Sequence, residues 1–124
     1  MQDPPSADEI LASLRPSPLR PAAEAADDVT VYRARVAENL TELVRREQAL
    51  AQASEPAEHA RLIGLMGHPG DLPSLNQELC EALRRGALNL RSQGLHEHLW
   101  RTTMEKLAVD QPTYPAYRRA REAV

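Results

Sequence analysis

Residues 29–50 read VTVYRARVAENLTELVRREQAL, and in this stretch Val29, Tyr32, Val36, Leu40, Leu43, Val44 and Leu50 recur at helical spacing. That period places the seven apolar side chains on one stripe of an α-helix. Glu42 and Arg46 lie off the stripe, four residues apart, and form a favourable i,i+4 pair. Asp27 or Asp28 can cap the first turn, so the pattern predicts a helix from there to about Ala53.

Toward the N-terminus, residues 1–28 are acidic and proline-rich, with Pro4, Pro5, Pro16, Pro18 and Pro21 breaking any long helix. Ser6 followed by Glu9 is a capping box, after which Ile10, Leu11 and Leu14 give a short helix an apolar face that Pro16 ends. Arg15 to Ala26 reads as a mobile linker. Toward the C-terminus, Ser54 caps a predicted helix over Glu55 to Met66 that stops at Gly67. Gly67-His68-Pro69-Gly70 is a turn, and Asp71 caps a further helix to Arg85 with Gly86 just past its end. Leu72, Leu75, Leu79 and Leu83 form its expected buried face.

The last long helix is predicted from about Ser92 to Val109, with Leu95, Leu99, Trp100, Thr103 and Leu107 toward the core. Pro112 and Pro115 end regular structure there, leaving 116–124 as a frayed tail with at most a last turn or two of helix over Ala116 to Ala123. The expectation is an all-α fold: a small antiparallel bundle of about five helices over residues 29–115, preceded by the segment 1–28.

The 124-residue composition agrees with helices and excludes several function classes. Hydrophobic residues are 42% but aromatics only 3%, with two Ile and six Val, so the core must be mainly Leu and Ala. A net charge of −3 offers no basic field for a phosphate backbone, and no nucleic-acid partner is expected. Cys80 is the single cysteine, which rules out an internal disulfide. No apolar run has the length of a membrane span, so a cytoplasmic protein without a membrane partner is expected.

Few residue patterns point to chemistry. Asp71 and Asn76 have the D-x-x-x-x-N spacing of a kinase catalytic loop, but no strand lysine, glycine-rich phosphate loop or later metal-binding acid accompanies them. Asp71 therefore reads as a helix cap and Asn76 as a flanking residue. His96 and His98 are two apart, about 200° around a helix, so one zinc cannot easily take both. His96 reads as a core-edge imidazole, and His59 and His68 have no partner visible from spacing. Cys80 has no histidine within a turn to serve as base. Neither a metal nor a cofactor is expected.

Glu47 stands at the centre of the 29–50 stripe, where a carboxylate is costly to bury without a partner. It calls for an arginine such as Arg101, or Arg35 of a second copy, or else for a face that meets another protein. Arg35 and Asn39, at i and i+4, are placed for a side-chain hydrogen bond beside it.

Several ordered strings resemble a known family. They are Tyr32-Arg33-Ala34-Arg35-Val36-Ala37-Glu38-Asn39-Leu40, Arg45-Arg46-Glu47, Gly67 with Gly70-Asp71-Leu72, Leu75-Asn76 and Glu78-Leu79, and Lys106-Leu107-Ala108-Val109-Asp110 with Pro112 and Tyr114. The family comprises small bacterial helical proteins of undetermined activity, encoded beside an aminoglycoside-phosphotransferase-like kinase and an acyl-CoA dehydrogenase. It is also similar to the small subunit of the levulinate-pathway kinase that phosphorylates 4-hydroxyacyl-CoA. Gln111 and Thr113 stand where the resemblance leads one to expect Asn and Arg, and the prolines at 16, 18 and 21 cut an opening helix that is longer in the family.

The resemblance implies a noncatalytic accessory subunit that supports such a kinase, with Arg35, Asn39, Glu47, Asp71, Asn76 and Tyr114 shaping the partner surface. The alternative is a small bundle that itself binds an acyl or CoA ligand, using Arg33, Arg35 and His96 as polar contacts. A homo-oligomer is compatible with both readings.

Overall fold

The computed structural model describes residues 4–15 and 27–123, with side chains described for all of these but 27–30. Five helices and no strand occur among the described residues: α1 (Ala7–Ser13), α2 (Asp27–Met66), α3 (Leu72–Arg84), α4 (Leu95–Asp110) and α5 (Pro115–Glu122). The all-α class expected from the sequence is the class observed. Apart from Arg15, the expected linker lies outside the described residues, as does the side chain of Val29. Within α2, between Ala49 and Leu50, the chain divides into two compact units.

In the first unit α1 opens on the predicted capping box. The Ser6 hydroxyl accepts from the Glu9 amide, and the Glu9 carboxylate accepts from the Ser6 amide at 2.7 Å. These bonds favour the ionised acid and hold the Glu9 carboxyl below its ordinary value. Ile10 and Val44 are the unit's buried apolar side chains among the described residues. Glu42 bonds Arg46 as expected, and Arg45 as well.

The helix break expected at Ser54 does not occur. α2 runs for 40 residues with Pro56 inside it. Proline removes one backbone donor and crowds the preceding turn, but Pro56 is exposed, and Glu58 and Leu62 just beyond it are buried. Packing of the following turns outweighs the single missing bond.

The second unit holds the main core. Leu62 of α2, Leu75 and Leu79 of α3, and Leu95 of α4 form a buried cluster, with Ile63, Leu65, Met66, Leu72 and Leu88 packed against it. α3 begins and ends where its capping residues predict. Asp71 accepts from the Ser74 amide, while Gly86 at φ +72° lets Ala87 N–H bond Ala82 O and Gly86 N–H bond Leu83 O. This Schellman closure requires a left-handed residue at position 86, which glycine adopts at no steric cost. The buried face differs from expectation at one position: Ala82 is buried, and Leu83 is 37% exposed.

α4 shows the largest departure. Its inward stripe is Leu95, His98, Thr102, Glu105 and Val109, a 3-4-3-4 spacing whose three middle members are polar. Leu99, Trp100 and Thr103, expected inside, are exposed. Trp100 lies about 180° around the helix from the centre of the inward stripe. The last turn or two expected over Ala116 to Ala123 is the helix α5, which starts with Pro115 in the first turn, buries Tyr117 and contacts α4.

Candidate functional site

The inward polar residues of α4 meet a matching set on α2. Glu58, Arg61, Leu62 and Leu65 follow i, i+3, i+4, i+7 spacing and share one side of α2. Arg61 Nη1 donates to Glu105 Oε1 at 3.1 Å, and Nη2 donates to Oε2 at 2.7 Å and to Thr102 Oγ1 at 3.5 Å. The two-point geometry is the strong form of an arginine–carboxylate contact. Glu58, 2% exposed, accepts from Asn76 Nδ2 at 3.1 Å, and the same amide donates to Leu72 O. Asn76 therefore ties α3 to α2 through a buried carboxylate.

His98 is 3% exposed, and its Nδ1, like Nε of Arg61, is buried without a hydrogen-bond partner among the described residues. Burial and then the Arg61 charge hold the His98 imidazole below the ordinary histidine value of 6.5. The core-edge histidine expected at position 96 is thus at position 98, while His96 is exposed. His98 and Arg61 line a cleft of about 370 Å³ together with Gly64, Gln93 and Gly94.

A second recess, of about 530 Å³, lies on the outer side of α4 against α5 and is lined by His96, Trp100, Arg101, Met104 and Arg121 among others. Trp100 is 49% exposed there. Arg101 donates to Glu97 at 2.9 Å, and the Arg121 guanidinium sits 5.8 Å from the centre of the Tyr117 ring.

The turn ahead of α3 is held by two histidines for which spacing revealed no partner. His59 Nε2 bonds Gly70 O at 2.6 Å, and His68 Nε2 bonds Glu78 at 2.9 Å. Contact with the Pro69 carbonyl, and then the Glu78 charge, raise His68 above its ordinary value. The amide and hydroxyl of Ser74 hold the Asp71 carboxyl below its own. Asp71 thus serves as the cap that its position predicts.

The other candidate residues are spread along the chain. Arg35 and Asn39 are exposed on α2 and do not make the expected bond to each other, Arg33 is exposed nearby, and Glu47 is half-buried. Arg101, proposed as a partner for Glu47, is bonded to Glu97. Tyr114 is 47% exposed and precedes α5, and Cys80 is exposed on α3. The buried carboxylate is Glu58, which hydrophobic periodicity passed over.

The two histidines with shifted values give opposite pH effects. Below pH 6.5 the unfolded chain takes up a proton that buried His98 refuses, so the fold loses stability as pH falls through that window. His68 binds its proton more tightly in the fold, so its contribution is complete below 6.5 and is lost as pH rises through the folded value. Chemical denaturation at a series of pH values between about 7 and about 5.5 therefore gives a flatter acid slope for His98→Gln and a steeper one for His68→Gln than for the parent chain.

Together the fold and its polar layer define an all-α domain in which α2 and α4 are joined by paired charges as well as by leucines. A family model described as Domain of unknown function (DUF6285) matches residues 24–114, and the chain belongs to that family. The matched span takes in α2, α3 and α4 and stops at Tyr114. No curated protein and no solved structure matches the chain. No described helix is long and apolar enough to cross a membrane.

Proposed function

We propose that this chain is a noncatalytic, cytoplasmic accessory subunit that binds and supports an aminoglycoside-phosphotransferase-like kinase acting on a hydroxyacyl-CoA. The observation that carries the interaction reading is the outward face of α4, where Leu99 and the chain's only tryptophan, Trp100, are 38% and 49% exposed. Tryptophan and arginine dominate the residues that anchor protein interfaces, and Trp100 stands in a groove with two arginines. The Arg61–Glu105 and Glu58–Asn76 contacts are consistent with this role, because they commit these four side chains to joining helices. The nature of the partner is carried by the resemblance of the ordered motifs to kinase-associated small proteins.

A test is the affinity of the purified kinase for the full chain. Trp100→Ala removes an exposed anchor and leaves the fold intact, so its melting temperature stays close to the parent's while the complex weakens about 30-fold, equivalent to about 2 kcal/mol. Absence of any complex with the parent chain overturns the proposal. A second reading, a bundle that binds an acyl or CoA ligand itself, draws on the cleft beside His98 and Arg61. It requires coenzyme A or an acyl-CoA to raise the melting temperature of the isolated chain.

A further inference from the structure

We propose that the groove between α4 and α5 takes an acidic amphipathic segment of a protein partner, with an apolar side chain against Trp100 and Met104 and carboxylates on Arg118 and Arg121. The assignment rests on the accessory-subunit reading and adds the chemistry of what docks. The groove, at about 530 Å³, has room for a few side chains, and Trp100 and Met104 form its apolar part.

Its charges are unequal in what they leave to a partner. Glu97 is already bonded to Arg101 at 2.9 Å, and Glu105 to Arg61 at 2.7 Å, so both carboxylates of the groove are neutralised within the chain. Arg118, Arg119 and Arg121 of α5 are exposed, and none makes an ion pair among the described residues. Arg121 lines the groove, Arg118 stands three residues earlier on the same face of α5 beyond the groove lining, and the Tyr117 ring lies beside Arg121. With three exposed arginines against one exposed glutamate, Glu122, α5 makes this rim locally positive on a chain whose net charge is −3. Complementarity then favours an acidic occupant. A second copy docked through the same face would bring a second set of arginines and the same two groove carboxylates, which are already bonded within the chain.

Trp100 is the only tryptophan, so its emission reports directly on the groove. The probe is a synthetic amphipathic helix of leucines and glutamates, added to the full chain, with a version carrying lysines in place of the glutamates as control. The glutamate peptide is expected to shift Trp100 emission to the blue and to saturate. The lysine peptide is expected to leave the emission unchanged. The double variant Arg118→Glu/Arg121→Glu weakens the glutamate peptide about tenfold, as loss of two rim ion pairs predicts. Both substitutions are at exposed positions, and an unchanged melting temperature confirms folding.

Equal shifts with both peptides, or with a short single-stranded DNA, overturn the assignment, as does a concentration-dependent dimer that covers Trp100 without any peptide. The kinase separates this inference from the reading beneath it. If the kinase binds the parent and the charge-reversed chain equally and the glutamate peptide gives no shift, the groove assignment fails and the accessory role stands. If the peptide binds and the kinase does not, the groove assignment stands and the accessory role fails.

Discussion

Leu75→Ala is expected to destabilise the chain by about 3 kcal/mol, within the range of roughly 2 to 5 kcal/mol seen when a buried leucine is cut to alanine. Leu75 is fully buried in the cluster with Leu62, Leu79 and Leu95. It also packs on the backbone at Gly70, where an added Cβ would lie 3.1 Å from Leu75 Cδ2, so the turn cannot easily close over a void. The neighbouring control is Leu83→Ala on the same helix. Leu83 is 37% exposed, and its truncation should cost less than about 1 kcal/mol. Urea unfolding of the two variants reads the difference, and equal losses would contradict the orientation of α3.

Glu58→Ala is the second large effect, at about 2 to 4 kcal/mol. The side chain is 2% exposed and accepts from Asn76, so the substitution opens a hole and takes one acceptor from a part-buried amide that keeps only its bond to Leu72 O. Glu58→Gln retains a carbonyl oxygen where Asn76 needs one, and should recover much of the loss. If Ala and Gln cost the same in urea unfolding, neither the volume of the side chain nor the Asn76 contact carries the effect, and the charge of the Glu58 carboxylate does.

The comparison of Glu47 with Glu58 shows where a reading of the sequence succeeds and where it stops. Hydrophobic periodicity gave Glu47 a central position because leucines and valines surround it in sequence, yet Glu47 is half-buried and Glu58 is the enclosed carboxylate. The same bias turned α4 around. Leu99 and Trp100 together outweigh His98, Thr102 and Glu105 in hydropathy, but the polar three are on the inward side, where Arg61 of α2 bonds Thr102 and Glu105. Pairing of polar groups across two helices, as between Arg61 and Glu105, leaves no mark in the pattern of either helix alone. The 3-4-3-4 spacing of 95, 98, 102, 105 and 109 was the only trace of it.

Local signals fared better because their physics is local. Ser6 with Glu9, Asp71 with Ser74, and Gly86 after Arg85 each satisfy backbone groups within a few residues, and each boundary falls where those residues put it. Ser54 ahead of Glu55 and Pro56 carried the same kind of signal and did not start a helix, because burial of Glu58 and Leu62 just beyond it favours continuing α2. The α4–α5 groove was invisible for a related reason: it exists only because α4 faces the way its polar partners dictate.

The most direct measurement is the turnover of the cognate kinase on a 4-hydroxyacyl-CoA, alone and with this chain added. The accessory-subunit reading predicts a large gain that saturates when chain and kinase form a stoichiometric complex, and a gain that needs proportionally more protein when Trp100 is changed to alanine. Turnover that is the same with and without the chain, in the absence of any complex, would contradict it.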